Sequence, residues 1–227
     1  MADNRYVLKD ASRSSHQIIL SILDDLAGGD LVDIGAWDGA LGRQIRQLRR
    51  FRKLTALERD VDQIGNLARI FDQTILIDLE HVTRLPAADV VVMADVLEHL
   101  AWPEKLLGVA SDSLANLGTV IISVPNVANL ANRFSLFFGR FDYEDRGIRD
   151  RTHLRFYTLA SARRLIRDAG FAIEREEASS IPLALAFPGL PRVILRLGER
   201  LIDALTMALP RLFGYQFIFV ARRPDRP

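Results

Sequence analysis

The 227-residue sequence predicts an α/β fold in which helices cover both faces of a mostly parallel sheet. Short and nearly continuous apolar runs, such as "DLVDIGA" and "GTVIISVPN", alternate with segments whose apolar residues recur at helical spacing. Continuous apolar strands are typical of a sheet that is buried on both faces, and the alternation is typical of parallel strands joined by helices. With 49% hydrophobic and 26% charged residues, the composition fits one soluble domain over residues 1–227.

The predicted elements follow a regular order along the chain. Apolar residues at helical spacing predict a first helix over residues 14–26. Strands are predicted at "DLVDIGA", "KLTALERD", "TILIDLE", the first half of "ADVVVMADVLEHL" and "GTVIISVPN". Helices are predicted at "ALGRQIRQLRR", "VDQIGNLARIF" and "PEKLLGVASDSLAN", the last of which ends at Gly118 as a C-cap. A helix at "LASARRLIRDAG", a strand at "FAIEREEA" and a final strand at "YQFIFVARRP" complete the fold.

Two insertions interrupt this order, and long insertions in a compact domain are usually functional. Residues 127–157 are rich in aromatic and charged side chains and are predicted to form a lid, with Phe134, Phe137 and Phe138 as apolar walls or as core. Residues 187–214 contain an amphipathic helix with arginines on its polar face. This helix packs either on the domain or a partner subunit, or lies on a membrane surface with its arginines at lipid headgroups.

Composition excludes several classes of function. A net charge of +1 argues against a nucleic-acid-binding protein, and the absence of cysteine excludes disulfides, cysteine nucleophiles and cysteine metal sites. No metal is expected. The N-terminus has no apolar run, so the expected location is cytoplasmic, with the membrane surface as a further option. The sequence does not define an oligomeric state.

Glycines and acidic residues follow successive predicted strands. Gly35 and Gly39 occupy the turn after the first strand, and Glu58, Asp78 and Asp95 end the next three. Because the carboxyl ends of parallel strands line one crevice, these groups indicate a ligand with a sugar and a hydrogen-bonding base. The alternatives are a tight strand-to-helix connection and surface carboxylates. A dinucleotide dehydrogenase is disfavoured by the glycine spacing and by the lack of a second domain.

Five segments, "VDIGAWDGALG", "ALERD", "ILIDLE", "VVMADVLEHL" and "VIISVPN", together resemble the successive motifs of class I S-adenosylmethionine-dependent methyltransferases. The resemblance covers residues 31–170 and resumes in the final strand. It implies a Rossmann-like sheet of order 3-2-1-4-5-7-6 with strand 7 antiparallel. "LEHL" and "DRTHLRFYT" are similar to ubiquinone-type O-methyltransferases and to bacterial methyltransferases associated with cell-surface polysaccharide synthesis, which implies a role in cell-envelope biosynthesis.

The resemblance also implies a role for each matching residue toward the cofactor S-adenosyl-L-methionine. Asp33 and Gly35 form the floor under the methionine part, and Glu58 holds the ribose. Asp78 and the backbone of Leu79 meet the adenine amine, Ala94 and Asp95 lie beside the methionine and the sulfonium, and His99 flanks or braces the pocket.

One residue departs from the family pattern. The family's turn usually reads acidic-x-Gly-x-Gly-x-Gly, whereas this chain has Trp37 where the middle glycine falls, followed by Gly39. An indole there leaves room for the cofactor if the backbone keeps a negative φ and the side chain points away. Trp37 is therefore predicted to lie beside the amino-acid end of the cofactor and to be compatible with binding.

Methyl transfer to a hydroxyl is aided by a general base, and histidine suits this near neutral pH. His153 is the predicted base or substrate-orienting group, with Asp95 as a second catalytic candidate. The alternative is that His153 ties the lid to a strand-end carboxylate such as Asp95. The predicted substrate contacts are Asn126, Asn129, Arg149, Arg151, His153 and Arg155. The alternative is that the charged residues in the predicted lid pair with one another in a surface loop.

The predicted function is transfer of a methyl group from S-adenosylmethionine to oxygen on a small molecule or glycan, including sugar and lipid-linked acceptors. A different class remains open: a non-catalytic member of the fold that binds cofactor and acts as a scaffold or peripheral membrane partner.

Overall fold

The computed structural model describes residues 13–183, 189 and 191–224. The predicted insertion over 187–214 therefore begins outside the described residues, and the remainder of it is described below. Seven strands form one sheet, and their bounds are β1 Gly29–Ile34, β2 Phe51–Glu58, β3 Gln73–Leu76, β4 Ala88–Ala94, β5 Leu114–Pro125, β6 Ala172–Ser179 and β7 Gln216–Arg222.

The sheet has the order β3-β2-β1-β4-β5-β7-β6. Neighbours from β3 to β5 pair in parallel, whereas β7 is antiparallel to both β5 and β6. The predicted strand order and the reversed seventh strand are therefore confirmed.

Helices connect the strands and cover both faces of the sheet. Their bounds are α1 Ser15–Asp25, α2 Ala40–Leu48, α3 Val61–Leu67, α4 Pro103–Ser113, α5 Leu130–Phe137, α6 Leu159–Asp168, α7 Arg192–Ala208 and α8 Pro210–Phe213, with a 3-10 turn at Leu97–His99.

Local side-chain chemistry sets several helix starts. The Ser14 hydroxyl accepts the Gln17 N–H before α1, and the Asp60 carboxylate accepts the Asp62 N–H before α3. Thr158 begins α6 with a capping box. The prediction of Gly118 as a C-cap is wrong, because α4 already ends at Ser113 and Gly118 lies within β5.

The core has two layers, one on each face of the sheet. Successive residues of a strand point to opposite faces, so Val91 and Met93 pack with α4 and α6, whereas Val90 and Val92 pack with α1 and α2. This double burial explains why the strands read as continuous apolar runs.

The described parts of the two insertions lie outside the sheet. Residues 127–157 contain α5 and an irregular charged segment, and α7 and α8 lie between β6 and β7. Among the described residues, no helix combines the length and the apolar character needed to cross a bilayer.

Candidate functional site

The turn after β1 has an unusual backbone. Gly35, Trp37 and Gly39 have φ angles of 70°, 47° and 73°, in the left-handed region that L side chains rarely adopt. The expectation of a negative φ at Trp37 is therefore wrong, because Trp37 takes the conformation of the glycine that it replaces. At Gly35 a Cβ would lie 2.8 Å from Val96 Cγ2, so steric crowding also requires glycine there.

Glu58, at the end of β2, holds this turn in place. Its buried Oε2 accepts the Trp37 N–H at 2.7 Å, and its Oε1 accepts the Arg59 and Asp60 N–H groups at 2.8 and 3.0 Å. Each carboxylate oxygen has two lone pairs, so acceptor capacity remains for a ribose hydroxyl. Glu58 therefore stabilises the turn as well as having its predicted place beside the cofactor.

Asp33 lies near the carboxyl end of β1 and is buried. Burial, with the nearby Glu58 charge as a second cause, raises the pKa of Asp33 to about 7. Its Oδ2 has no hydrogen-bond partner among the residues that the structure describes. A buried carboxyl group in this state favours a ligand that brings a positive charge or a hydrogen-bond donor.

Asp95 follows β4 in the left-handed conformation, with φ of 57°. Its N–H donates to Ser123 O and Oγ at 3.3 and 3.1 Å, and its Oδ1 accepts the Ser123 hydroxyl at 2.7 Å and the Gln216 Nε2–H at 2.5 Å. Three strands thus fix one carboxylate. Sequence reasoning missed Ser123 and Gln216. The position of Gln216 at the start of the antiparallel strand was the available signal, since that end meets the carboxyl ends of the parallel strands.

These strand ends open onto a cavity of about 890 Å³. Nine of the predicted cofactor residues line it: Asp33, Gly35, Trp37, Glu58, Asp78, Leu79, Ala94, Asp95 and His99. The tenth, Gly39, is not part of the described lining, because the side of its Cα where a Cβ would stand faces Ile70 and Leu67. Gly39 therefore shapes the turn and lets α3 pack closely.

Asp78 lies at the outer end of this cavity. Its exposed carboxylate accepts the Glu80 N–H at 3.1 Å, and its Oδ2 lies 2.9 Å from His81 Nδ1. The hydrogen bond from His81 holds the pKa of Asp78 below its usual range. Asp78 is thus an ionised acceptor at the edge of the site, as a contact to an adenine amine requires.

The predicted lid borders the same cavity through five residues. These are Asp145, Arg146, Asp150, Arg151 and Thr152. His16 of α1 also lines the cavity, and sequence reasoning missed it. The local pattern of α1 does not show which of its faces lies over the turn after β1.

His99 and His153 lie together, but they differ in access to the cavity. His99 lines it, whereas His153 is buried and not part of the described lining. Their rings meet edge-on with centroids 4.8 Å apart, and His153 Nδ1 lies 3.1 Å from Ile148 O. Burial lowers the pKa of both imidazoles, so both are neutral near pH 7. The structure therefore favours His99 over the predicted His153 as the base, since His99 faces the cavity and His153 packs against its ring.

Two predicted substrate contacts are structural instead. Asn126 Nδ2 and Asn129 Nδ2 each donate to Gly214 O at 2.9 Å, and both residues are buried. Neither belongs to the described cavity lining. The placement of Asn126 and Asn129 at the substrate is therefore corrected, and their amides join the start of α5 to the end of α8.

The three predicted arginines differ in whether they line the cavity. Arg151 lines the cavity and pairs with Asp145. Arg149 instead pairs with Glu144, and Arg155 donates to Ala101 O, and neither contributes to the described lining. The salt-bridged alternative thus applies to Arg149, while Arg151 stays a candidate for substrate contact.

One cluster of metal-ligating side chains occurs among the described residues. A carboxylate oxygen of Glu98 and one ring nitrogen each of His99 and His153 lie within 4.8 Å of one another. Sequence reasoning expected no metal, and the fold alone brings the second histidine to the first.

Comparisons with known proteins agree with this geometry. A family described as "Methyltransferase domain" matches residues 7–176, so the chain belongs to that family of class I methyltransferases. Among curated proteins, no sequence matches significantly.

Solved structures with the same fold are distant in sequence. A SAM-dependent methyltransferase from Archaeoglobus fulgidus is 17% identical over 93% of this chain and 96% of its own, with a TM-score of 0.60. A methyltransferase of the same kind from Mesorhizobium loti is 16% identical over 92% and 98%, with a TM-score of 0.62. The [4+2]-cyclase SpnF is 16% identical over 92% and 82%, with a TM-score of 0.59.

The cofactor of this family is S-adenosylmethionine, and the residues present fit it. Asp33 Oδ2, which has no hydrogen-bond partner in the part of the chain that the structure describes, suits the α-ammonium group of the methionine part. Glu58 retains acceptor capacity for ribose hydroxyls, and Asp78 is available to an amine. The chain is thus a SAM-dependent methyltransferase by family and fold.

Proposed function

We propose that the chain transfers the methyl group of S-adenosylmethionine to an oxygen of a small molecule or glycan, with sugars and lipid-linked sugars as the acceptor class. The observation that carries this proposal is a neutral imidazole, His99, in the same cavity as the strand-end carboxylates. The bound cofactor supplies a methyl group on a sulfonium, which is already activated for direct displacement. The protein must then align the acceptor and exclude water.

His99 is the proposed general base. Its Nδ1 lies 3.3 Å from Thr152 O and 3.2 Å from Thr152 Oγ1. When Nδ1–H donates to the Thr152 carbonyl, Nε2 carries a lone pair that accepts the hydroxyl proton. Asp150 and Asp95 raise the proton affinity of His99 against the larger effect of burial, and so stabilise the imidazolium that forms.

The rim of the cavity on the lid side carries two arginines and two carboxylates, and Arg151 pairs with Asp145. Arg146 and Arg151 are exposed and line the cavity on the side of the predicted lid. A guanidinium group binds phosphate or carboxylate oxygens through two parallel N–H groups. Together with the similarity of "LEHL" to polysaccharide-associated enzymes, Arg146 supports a phosphorylated or uronic sugar acceptor and a role in cell-envelope biosynthesis.

Methyl-labelled cofactor tests the proposal. The protein is incubated with it and with glycan, lipid and small-molecule fractions, and the linkage of the labelled product is determined. We expect a methyl ether, which survives mild alkali, whereas a methyl ester would release methanol. Label on nitrogen would overturn oxygen as the acceptor atom. Binding of S-adenosylhomocysteine without transfer to any fraction would favour the scaffold alternative.

Substitution of His99 tests the base separately. His99→Gln should lower kcat by about 10²- to 10⁴-fold, the usual contribution of a general base, and should remove the acidic limb of the pH profile. Binding of S-adenosylhomocysteine should stay within about tenfold of wild type. Arg167→Gln, on the exposed side of α6, is the matched control and should leave kcat unchanged. Full activity of His99→Gln would rule out His99 as the base.

A further inference from the structure

The apolar face of α7 points away from the protein. Val193, Leu197 and Leu201 recur at four-residue steps on one side of the helix, and 69%, 62% and 62% of their surfaces are exposed. Thr206 is fully buried on the opposite side. A helix that packed its apolar stripe on the domain would show the reverse. α7 therefore packs on the domain through Thr206 and the half-buried Leu195 and Ile202, whereas the apolar stripe with Val193, Leu197 and Leu201 is left exposed.

α5 presents a second exposed apolar face. Phe134, Phe137 and Phe138 are largely exposed, with Phe137 at 83%. Phe138 contacts the other two rings edge-on, with centroids 4.9 and 5.3 Å apart. The sequence predicts these rings as pocket walls or core, whereas the structure places them on the surface. Contiguous exposed aromatic groups of this kind mark an interaction surface.

The two helices meet at one backbone carbonyl. Asn129, the N-cap of α5, donates from Nδ2 to Phe213 O at 3.4 Å, and Thr206 near the end of α7 donates from its hydroxyl to the same oxygen at 3.4 Å. α8 thus joins α5 to α7. The start of α5 and the end of α7 therefore lie next to each other at α8.

Among the described side chains of α5, α7 and α8, the exposed charges are those of Arg133, Arg196, Arg200 and Arg211. The segment after α5 carries exposed charges of both signs, including Arg140, Asp142 and Glu144. The acidic residues of α7, Glu199 and Asp203, are half-buried. Phenylalanine and leucine beside arginine suit a membrane interface, where apolar groups enter the acyl region and guanidinium groups meet phosphate.

A second copy of the chain is a poorer occupant. A twofold symmetric interface brings the same patch of each subunit together, so the arginines of one copy would approach those of the other. An anionic bilayer instead offers a complementary charge. α7 has 17 residues, about 26 Å of helix, and carries charges along its length, so it suits the plane of the interface.

We propose that α5 and α7 together form a docking surface for an anionic phospholipid bilayer. Both helices lie along the membrane surface with their exposed apolar side chains among the upper acyl segments. Residues 127–157 contain both α5 and five residues of the cavity lining, so the docking surface and the cavity share one insertion. Membrane docking does not require a lipid-linked acceptor, so the docking proposal can be correct even if the proposed methyl transfer to such an acceptor is wrong.

Vesicle flotation tests the docking surface with the full-length chain. We expect the protein to float with phosphatidylcholine vesicles that contain about 30% phosphatidylglycerol at about 50 mM NaCl, and to float much less at about 500 mM NaCl or with phosphatidylcholine alone. The pair Phe134→Ser and Phe137→Ser should lower the bound fraction at least about tenfold, as should Leu197→Gln with Leu201→Gln. The circular dichroism spectrum should stay unchanged.

Matched controls separate the surface from general effects. Val61→Gln removes an apolar side chain of similar exposure, 66%, from α3 and should leave flotation unchanged. Arg196→Glu with Arg200→Glu should abolish flotation, whereas Arg164→Glu with Arg167→Glu on α6 makes the same change in net charge and should not. Absence of binding to anionic vesicles at low salt would overturn the proposal. A dimer that the phenylalanine variants convert to monomer, without vesicle binding, would assign the surface to a second copy.

Discussion

The carboxyl edge of the sheet buries ionisable groups, whereas the exposed faces of α5 and α7, the α5–α7 surface, expose apolar groups. At the sheet edge, the ionisable groups Asp33 and Glu58 are buried, and strained backbone is held by hydrogen bonds from several strands. On the α5–α7 surface, apolar groups such as Phe137 and Leu197 are exposed. Neither arrangement favours the stability of an isolated chain, since buried charge and exposed apolar area both carry a cost. Each becomes favourable when a ligand supplies the missing contact, a cofactor in one region and a membrane in the other.

The largest effect on folding is expected at Glu58. Glu58→Ala removes the acceptor of three backbone N–H groups, one in the turn after β1 and two directly after β2, and should lower the free energy of unfolding by about 2–5 kcal/mol. Urea denaturation of the cofactor-free protein measures this. Glu104→Ala, at an exposed position of α4, should change stability by less than about 0.5 kcal/mol. Equal effects of the two substitutions would contradict the view that the sheet edge is the structurally demanding region.

A pH dependence of stability is expected at Asp33. Its pKa is raised to about 7 in the folded protein from 3.8, so folding favours the protonated form. The contribution of Asp33 to stability is thus complete below pH 4 and lost as the pH rises to about 7. Asp33→Asn should therefore be more stable than wild type by about 2–4 kcal/mol at pH 8, and the difference should disappear near pH 4. Thermal denaturation across this range measures it, with Asp62→Asn on α3 as the exposed control. A difference independent of pH would rule out Asp33 as its source.

Cofactor binding should show the opposite dependence at the same residue. An ammonium group pairs with ionised Asp33, so the affinity of wild type for S-adenosylhomocysteine should increase as the pH rises through about 7. Asp33→Asn should bind S-adenosylhomocysteine about 10- to 100-fold more weakly than wild type at pH 8, which corresponds to the loss of a charged hydrogen bond. The affinity of this variant should not change with pH below pH 8. Calorimetry measures both. Unchanged affinity in Asp33→Asn would show that the cofactor's charge is met elsewhere.

A smaller effect is expected at Trp37. Trp37→Gly relieves a left-handed conformation that costs an L residue about 1–2 kcal/mol, but it also removes the indole from the cavity wall. Affinity for S-adenosylhomocysteine should therefore stay within roughly tenfold, about 1.4 kcal/mol. Fluorescence of the Trp102→Phe variant isolates Trp37 and should show a saturable change with ligand. Binding by Trp37→Gly but not by wild type would mean that the indole blocks the site.

The smallest effect on stability is expected on the α5–α7 surface. Phe137→Ser exchanges an exposed aromatic ring for a small polar group and should change the free energy of unfolding by less than about 0.5 kcal/mol. Urea denaturation measures this. A loss above about 2 kcal/mol would mean that Phe137 packs in the folded chain, and would remove the contrast between the two regions.

The sequence by itself determined the alternation of strands and helices and the acidic residues at the strand ends. Val90 to Met93 read as continuous apolar chain because the sheet is buried on both faces, and that signal is local. The family resemblance added the strand order and nine residues that line the cavity. These features are predictable because each depends on a short segment whose position in the fold the pattern defines.

Only the tertiary structure decided which groups meet across long distances in the chain. His99 meets His153, and Gln216 meets Asp95, through pairings that no local spacing encodes. The positive φ of Trp37 depends on the Glu58 carboxylate of the neighbouring strand. The tertiary structure also decided that the apolar face of α7 points outward. The periodicity of the sequence shows that this helix has two faces, but its contacts with neighbouring elements determine which face is buried.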